Sequence, residues 1–165
     1  MRILAIESSA VTASVAILTD DVLTAEDTVN YKKTHSQTLL PMLDEISNMT
    51  ELDLSTIDAI AVAGGPGSFT GLRIGSATAK GLGLALEKPL ISIPTTAAIA
   101  YNIWDTDKFV CPIMDARRNQ VYTGVYCYTD HRLDTVWEQD TMSIEALAEG
   151  LNCLDHEVIF LGDNQ

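Results

Sequence analysis

A glycine-rich stretch, Gly64 to Gly75 (GGPGSFTGLRIG), constrains the fold of this chain more than any other part of the sequence. It follows an apolar run, Ile57 to Ala63, that predicts a buried strand, and it leads into Ile74 to Leu86, which predicts a helix. A strand-to-helix turn of this kind can direct backbone N–H groups at an anion. The stretch lacks the Lys-Ser/Thr pair of a P-loop and does not match G-x-G-x-x-G, so the pattern does not single out phosphate binding.

Small residues recur at every fourth position in this region, at Gly71, Gly75, Ala79 and Gly83. One face of the predicted helix is therefore almost bare of side chains, and another backbone can approach it closely. Each glycine inside a helix costs about 1 kcal/mol relative to alanine, so such a face needs a reason. The pattern favours close packing, and a direct ligand role stays open beside it.

Composition limits the function classes. The chain has 165 residues, of which 47% are hydrophobic, enough for a core in one domain or two small lobes. Its formal net charge is −13, whereas contacts to nucleic-acid phosphates need lysine and arginine. We therefore do not expect this chain to bind RNA by itself, and a more basic protein is the expected kind of partner.

The cysteines and the apolar runs predict a cytoplasmic protein with no membrane segment. Cys111, Cys127 and Cys153 are widely spaced without a C-x-x-C, which favours buried reduced thiols. The amino-terminal run is too short and polar for a signal peptide. No apolar run approaches the roughly 20 residues that a membrane helix needs.

The order of the predicted elements indicates an α/β fold with mixed sheets. Strands are predicted at Arg2–Ile6, Ser14–Leu18, Val22–Tyr31, Ile57–Ala63, Leu90–Ile93, Phe109–Met114, Val121–Tyr128 and Val158–Leu161. Besides the glycine-rich helix, helices are predicted after a capping box at Thr34–Gln37, after Pro94 and after Ser143. This order predicts a first lobe at 1–103 and a second lobe at 104–165. The second lobe is expected to be truncated, because Gly-Asp-Asn follows the last strand at once.

Four segments carry a resemblance to a known family: ILAIESS, HSQTLLPMLDEI, GGPGSFTGLRIGSATAKGLGLAL and PIMDARRNQVYTGVY. In this order they resemble the TsaB (YeaZ) family. Its members are bacterial partner subunits of the proteins that make threonylcarbamoyladenosine on tRNA. Glu7 departs from the family pattern, which usually has aspartate there. Family members also continue well beyond the GDN ending.

The resemblance implies a fold and a set of partners. The implied fold is that of the actin/Hsp70/sugar-kinase superfamily, with ribonuclease H-like lobes of mixed sheets flanked by helices. The implied role is a non-catalytic subunit without a cofactor, bound to the catalytic TsaD. A TsaE-like ATPase and tRNA are reached through the complex, and a homodimer is an alternative assembly.

The residues themselves agree with a non-catalytic role. His35, His131 and His156 are dispersed, without the paired histidines that TsaD-like enzymes use for metal, so we expect no metal site. Glu7, Ser8 and Ser9 occupy the place of a phosphate-facing turn in the superfamily, but without glycine they favour a capped strand exit. Ser68 and Thr70 are expected to cap the following helix.

The expected interface combines two helices. Its predicted members are Leu39, Met42, Leu43, Ile46, Gly71, Gly75, Ala79 and Gly83. In TsaB-like proteins these first two helices contact TsaD or a second copy. Arg73, Asp115 and Arg117 are the candidates for an anion or partner contact, and an exposed Asp115–Arg117 ion pair is the simpler alternative.

Three other functions remain open at this level. An ATP-dependent kinase or hydrolase would use the superfamily cleft. A glycoprotease-like peptidase would need a metal pair or an activated nucleophile. A self-associating structural protein would form homodimers and ignore TsaD.

Overall fold

The computed structural model describes residues 1–30 and 35–162, and the chain divides into two compact units. Unit 1 comprises Met1–Ile93 and unit 2 comprises Pro94–Gln165. The division falls before Pro94, whereas the sequence analysis placed it after residue 103. Within the described ranges, no helix combines the length and the apolar character that crossing a bilayer requires.

Unit 1 is built on a five-stranded mixed sheet. Its strands are β1 (Arg2–Glu7), β2 (Ala13–Thr19), β3 (Val22–Val29), β4 (Ala59–Gly65) and β5 (Leu90–Pro94). Their order across the sheet is β3-β2-β1-β4-β5, with β1 antiparallel to β2, β2 antiparallel to β3, and β1 parallel to β4. The predicted opening meander is confirmed, although Tyr31, its expected end, lies outside the described residues.

Two helices cover one face of this sheet, α1 (His35–Met49) and α2 (Phe69–Leu86). Successive side chains of a strand alternate between faces, so one face of β1 carries Leu4 and Ile6. Leu4 pairs with Ile17 of β2 and with Ile60 of β4, which extends the apolar layer across three strands. The apolar side of α1 and Ala79 of α2 complete this core. Thr34, the expected cap of α1, lies outside the described residues.

Unit 2 repeats the arrangement of the first four strands of unit 1. Its strands are β6 (Phe109–Arg117), β7 (Gln120–Thr129), β8 (Arg132–Ser143) and β9 (Val158–Gly162). Their order is β8-β7-β6-β9, again with two antiparallel pairs and one parallel pair. No repeat is visible in the sequence, because the topology is shared while the side chains are not.

Helices α3 (Thr95–Ala100) and α4 (Ile144–Asn152) pack against opposite faces of the second sheet. Val110 joins Ala100 of α3 in one cluster, whereas its neighbour Cys111 joins Leu147 of α4 in another. Adjacent strand residues point to opposite faces, so both faces of β6 are buried. The polar residue Ser143 caps α4 as expected, since its hydroxyl accepts from the N–H of Ala146 at 3.1 Å.

Strand β8, the longest strand of the second sheet, was not predicted from the sequence. Its sequence, RLDTVWEQDTMS, is mostly polar, and apolar and polar residues do not alternate regularly along it. An edge strand needs to bury only part of one face, and charged residues protect its open edge from further pairing. Val136, Trp137 and Met142 supply that buried part.

Candidate functional site

The exit of β1 and the start of α2 meet inside unit 1. Ser8 and Ser9 follow β1 and are 0% and 3% exposed. The hydroxyl of Ser8 donates to the carbonyl of Gly71 at 3.0 Å, and the N–H of Ser68 donates to the carbonyl of Ser9 at 2.6 Å. These bonds attach the turn after β1 directly to the glycine-rich segment.

The glycines of this segment make that contact possible. A Cβ at Gly71 would lie 2.0 Å from the carbonyl oxygen of Ser8, and one at Gly75 would lie 2.2 Å from its hydroxyl. At Gly67 the carbonyl oxygen of Ser9 would be 2.4 Å away. Real Cβ atoms do not approach so closely. The packing interpretation of the small-residue face is therefore confirmed, and the chain's own turn fills the space beside these glycines.

The start of α2 differs from the prediction. The helix begins at Phe69 rather than Ile74, because the hydroxyl of Ser68 accepts from the N–H of Gly71 at 3.3 Å and caps it. Ser68 is the cap that the sequence predicted. Thr70 already lies within the first turn, so its expected capping role is wrong.

The expected capped strand exit is confirmed. The carboxylate of Glu7 accepts from the N–H of Ser9 two residues later, a local turn that satisfies this amide. With the amides of Ser68 and Gly71 also bonded within the chain, three N–H groups around the turn already have partners. Phosphate binding at a strand-to-helix turn relies on free amides.

The three histidines take part in separate local contacts. His35 Nε2 lies 2.8 Å from the carbonyl oxygen of Ala10, and His131 Nδ1 lies 2.6 Å from Asp105. His156 stacks on the ring of Phe109 at 4.1 Å between centroids. In the part of the chain that the structure describes, no three histidine, cysteine or acidic side chains converge on a common point.

The residues predicted to form the interface lie beneath the surface. Leu39, Met42, Leu43 and Ile46 are between 2% and 5% exposed, because they pack on the sheet of unit 1. The four small residues of α2 are buried as well, at Gly71, Gly75, Ala79 and Gly83. They position α1 and α2 and are not available for contact with another protein.

The exposed face of α2 carries a different set, which we call the α2 stripe. It lies at positions i, i+4, i+8, i+11 and i+15, on one side of the helix: Phe69, Arg73, Ala77, Lys80 and Leu84. Phe69 is 72% and Leu84 is 84% exposed. The guanidinium of Arg73 lies over the Phe69 ring, 4.6 Å from its centroid, rather than beside an acid. The α2 stripe was not predicted from the sequence, although its residues have helical spacing.

Helix α1 exposes side chains of its own. Leu40 is 54% and Met49 is 78% exposed, and the carboxylates of Asp44 and Glu45 also face solvent. Acidic side chains on α1 and basic side chains on α2 give the two exposed helix faces opposite charge.

Asp115 and Arg117 lie in unit 2, at the turn between β6 and β7. Strand β6 extends to Arg117 and β7 begins at Gln120, so the turn is shorter than the predicted 115–120. The Asp115 carboxylate accepts from the backbone N–H of Arg117 at 2.7 Å. Among the described residues, the ion pairs do not include the expected Asp115–Arg117 pair, and the carboxylate instead bonds the backbone of Arg117.

The thiols differ in exposure. Cys111 is buried, and burial raises the pKa of its thiol, an effect that a hydrogen bond with Thr123 partly offsets. Cys127 is partly buried, whereas Cys153 is exposed at the end of α4. The expectation of buried thiols therefore fails for Cys153, since it follows the last apolar residue of an amphipathic helix.

Comparison with known proteins relates this geometry to a family. A family model described as TsaD, tRNA N6-adenosine threonylcarbamoyltransferase, matches residues 24–158. The tRNA threonylcarbamoyladenosine biosynthesis protein TsaB of Bacillus subtilis is 37% identical over 98% of this chain and 71% of its own length. TsaB of Escherichia coli is 38% identical over 76% of this chain, which spans only 55% of that protein.

Solved structures agree with these relatives. YeaZ from Pseudomonas aeruginosa superposes with a TM-score of 0.78 at 30% identity, covering 87% of this chain and 68% of that one. The ethanolamine utilization protein EutJ from Carboxydothermus hydrogenoformans, only 10% identical, has a TM-score of 0.54 and shares the fold alone. The predicted fold class, mixed sheets flanked by helices of the actin and sugar-kinase type, is confirmed. The chain thus belongs to the TsaB (YeaZ) family, in which relatives are named as tRNA threonylcarbamoyladenosine biosynthesis proteins.

Proposed function

We propose that this chain is a non-catalytic subunit that binds a TsaD-like transferase and supports threonylcarbamoyl transfer to adenosine in tRNA. The α2 stripe carries the proposal, together with the names of the relatives. A TsaE-like ATPase and tRNA act through the complex, in the cytoplasm. The acidic net charge of −13 fits a subunit that leaves tRNA contact to its partners.

The α2 stripe has the composition of a protein contact. Phe69 and Leu84 expose large apolar side chains at the two ends of one helix face. Complete burial of such a side chain contributes about 1.5–3 kcal/mol, so both favour a covering partner. Arg73 and Lys80 lie between them and fit acidic side chains on the partner helix.

The exit of β1 supports a role without phosphate chemistry of its own. Ser8 packs against Gly71 and Gly75 of α2, Ser9 packs against Gly67, and the amide of Ser9 is bonded to Glu7. A rival ATP-dependent enzyme would need this turn to receive phosphate oxygens. That rival predicts saturable binding of ATP with Mg²⁺ by the isolated chain in calorimetry, a result that would contradict the proposal.

The subunit would act by shifting the equilibrium between conformations of the TsaD-like transferase. A partner that binds one conformation of the transferase more tightly raises the fraction of that conformation. Because α1 and α2 are anchored to the sheet by buried residues, they present a rigid surface for such selection.

Analytical ultracentrifugation of the chain with its cognate TsaD-like protein tests the proposal. We expect a new one-to-one species that Phe69→Glu and Leu84→Glu each weaken at least tenfold, because each removes apolar contact area and adds a carboxylate to a surface expected to meet acidic side chains. Ile144→Glu is the matched control, since Ile144 is also the first residue of a helix and is 58% exposed. No complex with the unmodified chain, or equal loss with the control, would contradict the assignment.

A second copy of the chain is the alternative occupant of the same surface. Asp44 and Glu45 on α1 face solvent, as do Arg73 and Lys80 on α2, so two copies can pair opposite charges. Sedimentation of the chain alone at increasing concentration distinguishes the assemblies. A homodimer that TsaD does not dissociate would favour the structural-protein alternative.

A further inference from the structure

We propose that an aromatic surface in unit 2, formed by Tyr101, Trp104 and Tyr128, binds an arginine or lysine side chain of a basic protein partner. This surface follows α3 and borders the turn between β7 and β8. The function proposed above uses α1 and α2 in unit 1 and leaves this surface unassigned.

The three rings form a compact group. The centroids of Trp104 and Tyr128 are 5.4 Å apart with an interplanar angle of 66°. Tyr101 lies 6.1 Å from Trp104 and 6.3 Å from Tyr128, and it is nearly perpendicular to Tyr128 at 89°. Clustered aromatic rings that are open to solvent attract cationic groups such as a guanidinium or an ammonium.

Two of the rings remain open to solvent. Trp104 is 60% and Tyr101 is 52% exposed. Single exposed apolar residues are ordinary, but contiguous aromatic side chains mark binding surfaces. The hydroxyl of Tyr128 is buried without a hydrogen-bond partner among the described residues, and burial raises its pKa, as do Tyr101 and Asp105.

The charges around the rings select a cation. Asp105 directly follows Trp104, and its bond to His131 holds the turn between β7 and β8 beside the rings. The two segments that supply the rings, residues 101–108 and 128–134, contain these acidic and basic residues: Asp105, Asp107, Asp130, Asp134, Lys108 and Arg132. Lys108 is paired with Glu157 at 2.9 Å and His131 is bonded to Asp105, so Arg132 is the remaining basic side chain of these described segments. The surface is therefore acidic, and the partner group is basic.

The same charges argue against nucleic acid. Exposed aromatic rings also stack on bases, but single-stranded nucleic acid is bound where a positive groove follows its phosphates. Carboxylates at Asp105, Asp107, Asp130 and Asp134 would repel those phosphates.

Nuclear magnetic resonance of the indole N–H groups tests this proposal on the whole chain. The chain has two tryptophans, so Trp104→Phe assigns the signals, and the partly buried Trp137 reports on the fold. The probes are hexa-arginine, its neutral near-isostere hexa-citrulline, and a uridine hexanucleotide. We expect hexa-arginine to shift the Trp104 signal saturably, without moving Trp137 and without an effect of hexa-citrulline.

Substitutions test whether hexa-arginine binds at the aromatic surface. Tyr101→Ala and Asp105→Asn are each expected to weaken hexa-arginine binding about fivefold, the range of an exposed cation–π or ion-pair contact. Phe160→Ala and Asp155→Asn remove an exposed ring and an exposed carboxylate elsewhere in unit 2 and are expected to leave binding unchanged.

Four outcomes of the titrations would overturn the proposal, and a fifth comes from the chain alone. These are no Trp104 shift with hexa-arginine, an equal shift with hexa-citrulline, a larger shift with the oligonucleotide, and equal weakening by the control variants. A Trp104 shift caused by raising the concentration of the chain alone would instead assign the surface to a second copy, and would overturn it too.

Discussion

At the scale of single residues, glycine decides how closely α2 approaches the turn after β1. The carbonyl of Ser8 occupies the place that a Cβ at Gly71 would take, 2.0 Å away. Gly81, on the same helix, has nothing within 4 Å of its virtual Cβ. The same residue type therefore has opposite consequences at two positions, because only Gly71 faces another backbone.

This difference predicts the effects of two matched substitutions. Gly71→Ala is expected to lower the free energy of unfolding by about 1–3 kcal/mol, since a backbone carbonyl cannot move aside cheaply. Gly81→Ala is expected to raise it by up to about 1 kcal/mol, through better helix propensity. Urea denaturation measures both. Equal effects of the two variants would show that the helix does not pack on Ser8 as described.

At the scale of elements, hydrogen bonds and charges join segments distant in sequence. The start of β9 is fixed to β6 by the bond from the N–H of Phe109 to the carbonyl of Glu157 at 3.0 Å. The Lys108–Glu157 ion pair lies at the same place, 2.9 Å between its charged atoms. The hydrogen bond from Lys108 lowers the pKa of Glu157, and Glu157 raises the pKa of Lys108.

The direction of these pKa shifts determines the pH range in which the Lys108–Glu157 pair stabilises the folded state. Because the pKa of Glu157 lies below its ordinary value of 4.5 in the folded state, its stabilisation is complete above that value. It is lost as the pH falls through the folded pKa. A double-mutant cycle with Lys108→Met and Glu157→Gln is expected to show coupling at pH 7 and none at pH 2. A cycle that replaces Glu157→Gln with Asp155→Asn should show no coupling at either pH, and coupling that survives at pH 2 would contradict the ion pair.

At the scale of the whole molecule, like charges outnumber attractive pairs. The formal net charge with neutral histidines is −13, whereas the ion pairs of the described residues are Met1–Asp20, Lys108–Glu157 and, when the imidazole is protonated, His131–Asp105. All three have exposed partners, and such pairs contribute little. Screening by salt therefore removes more repulsion than attraction.

We expect the chain to become more stable as salt is added. Raising sodium chloride from 10 mM to 200 mM should raise the midpoint of thermal unfolding, because the Debye length falls from about 30 Å to about 7 Å. Potassium chloride at the same ionic strength should act equally, whereas an equal osmolality of a neutral solute should not reproduce the rise. A midpoint that falls with salt would mean that attractive pairs dominate.

Local patterns in the sequence determined most of the elements. Strands such as Arg2–Glu7 contain short apolar runs, and the helix at Ile144 has a visible cap, so their types follow from neighbours in the chain. The start of α2 was predicted at Ile74 although its cap, Ser68, was recognised, because the glycines between them weaken the helical pattern. Strand β8 was not predicted, because only part of one strand face is buried at a sheet edge.

The sequence by itself determined the fold class, the family and the existence of a close-packed small-residue face. It did not determine which side of α1 and α2 stays open, because helical spacing shows that residues share a face but not what covers it. Only the tertiary structure showed that Leu39 and Gly75 lie within the core while Phe69 and Leu84 remain exposed. Which side of each helix is buried depends on long-range contacts with the sheet and with Ser8. Such contacts cannot be read from a local sequence pattern.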